Sequence, residues 1–201
     1  MISLAWLGSI ILFSVAMSGT PGPNNMMLTA SGARYGYRQT LPHILGILGG
    51  CVVLFVAIAL GLGAVFERYP GVQWGLRLAG SAYLLYLAWR IATAPPPNLD
   101  RASSARPLNA LEAAAFQFAN PKAWIMGLTL TASFLPAHGS LLVNAFALAV
   151  LMELAAFPCV SFWALFGRTL GNRIRSDRGW RIFNGVMGAL TAACVILIFT
   201  D

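Results

Sequence analysis

The sequence predicts an all-α integral membrane protein of six transmembrane helices, arranged as two inverted repeats of three helices each. Of its 201 residues, 58% are hydrophobic and only 9% are charged, whereas roughly 25% of the residues of a soluble domain are charged. A soluble chain of this length could not shield so much apolar surface from water, but a bilayer could. Apolar runs long enough to cross about 30 Å of hydrocarbon also recur along the chain.

Six apolar runs are the candidate spans, at residues 4–30, 41–66, 72–92, 110–135, 141–166 and 182–199. A polar stretch rich in proline separates the third run from the fourth. We therefore divide this single transporter-like domain into a first half, a linker and a second half, at residues 1–92, 93–109 and 110–201. Because each half has an odd number of spans, the second half enters the membrane in the opposite orientation. Inverted repeats of this kind are common in transporters.

The first apolar run could also be a secretory signal peptide, because it lies at the N-terminus. No lysine or arginine precedes the run, however, and uncharged sequence continues to Ala33. A signal peptide carries a positive charge before its apolar region. We therefore expect an uncleaved first span.

The distribution of positive charge predicts the orientation. The net charge is +7, but the basic residues lie in short gaps between apolar runs and form no patch typical of a nucleic-acid-binding domain. The gaps after the first, third and fifth runs hold the excess: Arg34, Arg38; Arg90, Arg101, Arg106; Arg168, Arg173, Arg175, Arg178 and Arg181. Basic loops face the cytoplasm, so both termini are predicted on the periplasmic side.

A cluster of helix-breaking residues interrupts the first run at Pro21-Gly22-Pro23-Asn24. Each proline removes a helical hydrogen bond and clashes with the preceding turn, so we expect a break with Asn24 as the N-cap of a second half-helix. A packed kink is the alternative, since prolines also kink membrane helices.

A similar interruption occurs in the fourth run. Asn120 is expected to be an N-cap, Pro121 suits the first helical position because its missing N–H is not needed there, and Lys122 follows in the first turn. Both interruptions lie about 20 Å from the cytoplasmic boundary at 1.5 Å per residue, which is near the middle of the bilayer.

Two helix N-termini that meet at this depth would form an anion site. They expose free N–H groups and a partial positive charge, and Lys122 adds a full charge. A carboxylate fits such a site. The predicted substrate-binding residues are Pro21, Gly22, Pro23, Asn24, Asn120, Pro121 and Lys122.

Glu153 is the only acidic residue well inside an apolar run. A buried carboxylate is costly unless it is paired or protonated. It could form a structural pair with Lys122, accept a substrate ammonium group or carry a proton. We predict a coupling role, and the sequence leaves these three arrangements open.

Other polar or reactive residues are interpreted as structural. Cys51, Cys159 and Cys194 are scattered inside apolar runs, which argues against a disulfide framework or a zinc site. Gly46 and Gly50 are expected to form a contact face for another helix.

No signature of nucleotide binding, dinucleotide binding or metalloprotease chemistry is present, so we expect no cofactor and no metal. His43 is expected at the membrane interface.

Three motifs resemble the LysE/RhtB family of lysine exporters and homoserine/threonine efflux proteins. They are TPGPNN at 20–25, GSAYLLYLAW at 80–89, and NPKAW at 120–124 after FQF at 116–118. The resemblance extends over nearly the whole chain. It implies amino-acid efflux across a bacterial inner membrane, driven by the proton gradient, and it leaves the substrate open because members move basic, neutral or sulfur-containing amino acids.

Two other classes of function stay open. One is an exporter or channel for another small solute or a metal ion, although scattered cysteine and methionine argue against a soft-metal site. The other is a non-transporting membrane subunit or enzyme. An enzyme is not expected, because only Lys122 and Glu153 could converge inside the membrane. The predicted partners are a small substrate, protons and the bilayer, with no nucleic acid, and a homo-oligomer is left open.

Overall fold

The computed structural model describes residues 3–96 and 106–196, and all its regular elements are helical. This confirms the all-α class. Part of the predicted linker, including Arg101, and the end of the predicted sixth span lie outside the described residues. The helices are α1 (Leu4–Gly19), α2 (Pro23–Ala57), a π-helical turn (Ile58–Leu62), α3 (Gly63–Arg68), α4 (Pro70–Ala92), α5 (Ala110–Gln117), α6 (Pro121–Phe134), α7 (Leu141–Arg173) and α8 (Asp177–Ala193).

Among the described residues, two helical segments are long and apolar enough to cross a membrane. They are Pro23–Leu62, with 40 residues, and Leu141–Arg173, with 33 residues, and an 18-residue stretch within each has a mean hydropathy of 2.7 and 2.0, respectively. Large apolar side chains also stay exposed on the outside of the helices, for example Leu12 at 70% and Leu154 at 67%. An apolar outer surface is what a bilayer requires. The count of six spans stays a prediction.

The N-terminal part of α2 runs in the same direction as α7. A Cβ atom on Gly167 would lie 2.0 Å from the carbonyl oxygen of Thr29, and one on Gly171 would lie 2.4 Å from that of Ala33. The contacts thus advance together along both helices. This close approach ends at Gly36, whose φ of 78° and ψ of 169° interrupt the helix in a conformation that favours glycine.

After Gly36 the chain runs back along α7. The hydroxyl groups of Tyr37 and Ser161 are 3.0 Å apart, and further along α2, Cys51 lines the same cavity as Glu153. Residue numbers therefore rise on α2 while they fall on α7. The loop predicted between the first two spans is a single-residue turn at Gly36 inside α2, and the two parts of α2 run in opposite directions along α7.

The C-terminal part of α2 packs against α5 through glycine. A Cβ atom on Gly46 would lie 2.2 Å from the carbonyl oxygen of Ala110, and one on Gly50 would lie 2.6 Å from that of Ala114. The predicted glycine contact face is confirmed. Further along α2, Phe55 packs on Gly127 of α6, so this part of α2 follows α5 and then α6.

The position of His43 at the membrane interface stays a prediction, but within the bundle its side chain is buried, with 1% of its surface exposed. The reason for this burial is the turn at Gly36. Because α2 reverses there without a loop, His43 begins the returning part inside the bundle.

Candidate functional site

The first helix break is present where it is predicted, but its cap differs. Helix α1 ends at Gly19 and α2 starts at Pro23, with Gly22 as the N-cap residue. The prediction that Asn24 is the N-cap is wrong. A proline ring presets the φ angle of a first helical position, so the helix starts at Pro23 and places Asn24 in its first turn.

Three carbonyl groups where α1 ends, those of Ser18, Gly19 and Thr20, accept hydrogen bonds from side chains of other helices. Asn25 donates to the carbonyls of Ser18 at 2.9 Å and Thr20 at 2.8 Å. The indole of Trp163 donates to the carbonyl of Gly19 at 3.2 Å. Within a membrane such groups cannot rely on water, so these bonds allow the chain to leave the helix here.

The second break follows its prediction closely. Asn120 is the N-cap of α6, its side chain accepts a hydrogen bond from the amide of Lys122 at 3.2 Å, and Pro121 takes the first helical position. The indole of Trp124 donates to the carbonyl of Phe118 at 2.8 Å. This break is therefore held by its own flanking residues.

The side chain of Lys122 joins the second break to the first. Its ammonium nitrogen donates to the carbonyl oxygen of Thr20 at 2.7 Å and contacts the hydroxyl oxygen of the same residue at 2.8 Å. A Cβ atom on Gly22 would lie 3.1 Å from the Lys122 Cδ atom, so glycine leaves the room that this side chain occupies. The lysine sits at the C-terminal end of α1, where a cation is favoured.

A second link between the breaks is Gln117, which the sequence analysis did not single out. Asn24 donates to Gln117 Oε1 at 2.9 Å, Gln117 donates back to Asn24 Oδ1 at 3.2 Å, and Asn120 donates to Gln117 Oε1 at 3.2 Å. Gln117 has no exposed surface. Its only sequence signal is an amide inside an apolar run three residues before Asn120.

The two breaks enclose a cavity of about 40 Å³, here called the central cavity. Six of the predicted functional residues line it: Gly22, Pro23, Asn24, Asn120, Lys122 and Glu153. Pro21 and Pro121 flank the breaks without lining the cavity. Asn25 and Cys51 line it in addition. The cavity has room for water but not for an amino acid.

Glu153 enters the central cavity from α7. It is 5% exposed, and its Oε1 atom has no hydrogen-bond partner among the described residues. The ammonium group of Lys122 bonds to Thr20 instead, so the structural pair that the sequence left open is not formed. An acidic and a basic side chain thus face one cavity with separate surroundings.

Interrupted helices around a small polar cavity in an apolar bundle define the class of protein as a membrane transporter. The sequence profile of the LysE type translocator family matches residues 13–199, and the chain belongs to this family. It is a multi-pass protein of the inner membrane and a transporter rather than an enzyme. The resemblance seen in the motifs is confirmed.

Individual relatives are similar to this chain over almost their full length. It is 29% identical over 195 residues to the cysteine/O-acetylserine efflux protein of Escherichia coli strain K12, covering 96% of this chain and 97% of the relative. The same values hold for the cysteine/O-acetylserine efflux protein of Shigella sonnei strain Ss046. No solved structure matches.

Proposed function

We propose that this protein exports a small zwitterionic amino acid of the cysteine or O-acetylserine kind through the central cavity. The observation that carries the proposal is that a basic side chain, Lys122, and an acidic one, Glu153, both line this cavity without forming an ion pair with each other. A zwitterionic substrate is complementary to both. The names of the relatives support the same substrate class.

The substrate carboxylate would bind at the start of α2. The first hydrogen bond within this helix runs from the amide of Met26 to the carbonyl of Gly22, at 3.0 Å. The amides of Asn24 and Asn25 precede it and belong to the groups that a helix leaves without an intrahelical partner. Lys122 would exchange its bond to Thr20 for a bond to the carboxylate.

The substrate ammonium would bind to Glu153. A buried carboxyl group without a partner is less costly when protonated than when charged. A proton and a substrate ammonium therefore compete for the same group, and each can leave as the other arrives. This competition would couple export to the proton gradient.

Alternating access would move one half of the chain against the other. The unit α1–break–α2 packs along α7, which belongs to the second half, and the returning part of α2 packs along α5–break–α6. Such an exchange of partners is expected of inverted repeats. In this arrangement the arginine-rich loops are cytoplasmic, both termini are periplasmic, and rocking opens a cavity that is otherwise too small for substrate.

The test is transport by purified protein in proteoliposomes loaded with radiolabelled O-acetyl-L-serine, L-cysteine, L-homoserine or L-lysine, with and without a pH gradient. We expect gradient-stimulated efflux of one of the first two. Equal amounts of the Lys122→Met variant serve as the inactive control. Movement of cadmium without any amino acid would favour the metal-export alternative, and movement of no amino acid would contradict the proposal.

A further inference from the structure

A second and larger cavity, here called the arginine cavity, lies on the side of the bundle where the basic residues cluster. Its volume is about 300 Å³, and it shares no lining residue with the central cavity. It lies between α2 on both sides of the Gly36 turn, the end of α4, and the segment that leads into α5. Its charged or titratable lining residues among those described are Arg34, Tyr35, His43, Arg90 and Arg106.

His43 is the unusual member of this lining. Its ring is almost completely buried, and neither Nδ1 nor Nε2 has a hydrogen-bond partner within the described part of the chain. Native proteins seldom leave a buried polar group unpaired, because the lost hydration is not replaced. Both nitrogens have almost no accessible surface, so a polar ligand in the arginine cavity would supply the missing partner only after the imidazole ring turns toward the cavity.

The charges around the cavity favour an anion. Three arginines line it. One acidic side chain, Glu112, lies nearby and is committed to Arg106, which donates to its two oxygens at 2.6 Å and 2.7 Å. The guanidinium group of Arg90 lies 5.8 Å from the ring centre of Tyr86. Among the described residues, one carboxylate against three guanidinium groups leaves the cavity positive.

A guanidinium group binds carboxylates particularly well. Its planar donors match the two oxygens of a carboxylate and form two parallel hydrogen bonds. A volume of about 300 Å³ also suits a small organic solute.

An apolar cluster packs beside the arginine cavity. Met26, Leu84, Phe116 and Met187 are each at most 6% exposed and pack together. Asn25, the residue before Met26, lines the central cavity. Met27 and Leu87 belong to the apolar cluster and line the arginine cavity. The two cavities are therefore separate sites along one face of α2.

We propose that the arginine cavity is a second binding site, which takes the carboxylate of a small solute through Arg90 and His43. Unlike the central cavity, it has no carboxyl group among its described lining residues, so an ammonium group on the ligand is not required. If the arginine cavity is where the exported amino acid first docks, that role rests on the proposed function. The binding itself does not.

Two tryptophans allow the sites to be observed separately. Trp89 lines the arginine cavity, and Trp124 bonds to the second break beside the central cavity. The whole protein is labelled with 5-fluorotryptophan, its resonances are assigned with Trp89→Phe and Trp124→Phe variants, and fluorine NMR follows titrations. The probes are O-acetyl-L-serine, which is zwitterionic, and N-acetyl-L-serine, which keeps the carboxylate but has no ammonium group.

N-acetyl-L-serine is expected to shift the Trp89 resonance and to leave Trp124 unchanged. Arg90→Gln should weaken this binding about tenfold, as expected for loss of a charged hydrogen bond, and His43→Phe should weaken it as well. Arg175→Gln, which changes an exposed arginine outside the cavity, should have no effect. Arg90 lies at the end of α4, so its variant tests the site even where the His43 variant does not fold.

The outcomes separate this site from the central one. O-acetyl-L-serine could shift the Trp89 resonance and leave Trp124 unchanged. This result would contradict the proposed function but would still support a binding site in the arginine cavity. No Trp89 response to either probe, or a response that Arg90→Gln does not weaken, would overturn the second site. The titration is repeated in nanodiscs of neutral and of anionic lipid. Loss of N-acetyl-L-serine binding in anionic lipid would show that a lipid phosphate occupies the cavity and would overturn its assignment to a small carboxylate.

Discussion

At the scale of single residues, Lys122 is held by the main chain of the other break and not by an acidic side chain. Its ammonium group bonds to the Thr20 carbonyl at 2.7 Å, while Glu153 keeps an unpartnered oxygen in the same cavity. A lysine in the middle of a membrane helix costs about 2.5–3.5 kcal/mol on insertion scales. A hydrogen bond to one carbonyl offsets part of that cost and can be exchanged for a substrate carboxylate.

The position of Lys122 depends on the space above Gly22, which gives the first prediction. The Gly22→Ala variant should raise the KM for export about threefold to tenfold, because the added methyl group pushes the lysine from its bond. Gly22 has an extended backbone, with φ at −176°, so alanine causes no backbone strain there. The measurement is the concentration dependence of efflux from proteoliposomes.

Gly19→Ala is the matched control for this variant. Gly19 is also beside the break, but a Cβ atom there would meet no atom within 4 Å. Its KM should equal that of the unchanged protein. Equal KM values for Gly22→Ala and Gly19→Ala would contradict this prediction and show that the flexible lysine accommodates the added methyl group without losing its place in the site.

The second prediction concerns the acidic side chain of the central cavity. Glu153→Gln should fold and bind substrate weakly, but its efflux should no longer respond to a pH gradient, because an amide cannot release a proton. Gradient-driven and gradient-free efflux are compared in the same vesicles. Lys122→Met should instead weaken substrate binding most. A Glu153→Gln protein that still accelerates when the gradient is applied would rule out the coupling role.

At the scale of secondary-structure elements, the two breaks are stabilised by different means. The first depends on donors from α2, α6 and α7 that satisfy the carbonyls of α1, whereas the second is held by its own Asn120 cap and by Trp124. The first break is therefore the more dependent on the packing of the whole bundle. A change in the backbone of the first break should also affect the second break, because Lys122 and Gln117 bond across to it.

The third prediction restores a continuous helix at the first break. With Pro21 and Pro23 both changed to alanine, the chain should insert normally but stop transporting, because a continuous helix covers the amides of the proposed carboxylate site. Pro42→Ala is the control, since Pro42 also lies within α2 and is exposed. Efflux at the normal rate by the double variant, measured at equal protein content, would show that the first break is only a packed kink without a role in transport.

Local chemistry made part of this site predictable. Proline and asparagine act on their own backbone neighbours, so both breaks and the Asn120 cap could be predicted from the sequence. The bond between Asn24 and Gln117 joins residues 93 positions apart and depends on how the helices pack. The burial of His43 likewise follows from the reversal at Gly36, and a glycine in a basic gap does not by itself indicate so tight a turn.

At the scale of the whole molecule, the long helices of the two halves organise the fold. Glycine lets α2 and α7 approach closely along Gly167 and Gly171, and it lets α2 approach α5 along Gly46 and Gly50. Small residues at such contacts are typical of helix packing in membranes. The start of α2 and helix α1 pack along α7, and the rest of α2 follows α5 and α6. Because α2, α6 and α7 all line the central cavity, a movement of α7 against α2 would change the space between the breaks.

The last prediction tests the orientation of this arrangement with α7. This helix has 33 residues, about 50 Å at 1.5 Å per residue, which exceeds the roughly 30 Å of hydrocarbon in a bilayer. Exposed loops flank it, with His138 before its start and Arg175 after its end. Arg175 lies in the gap with the largest arginine excess, so it should face the cytoplasm, and His138 should face the periplasm.

Single cysteines at these two positions can be labelled with a membrane-impermeant maleimide. The native Cys51, Cys159 and Cys194 are first replaced by alanine, and only Cys159 among them is more than slightly exposed. In intact spheroplasts His138→Cys should react and Arg175→Cys should not, and lysis should expose the second. The opposite pattern would reverse the orientation while keeping α7 as a span. Labelling of both from outside would mean that α7 does not cross the membrane, and the inverted relation of the two halves would then be wrong.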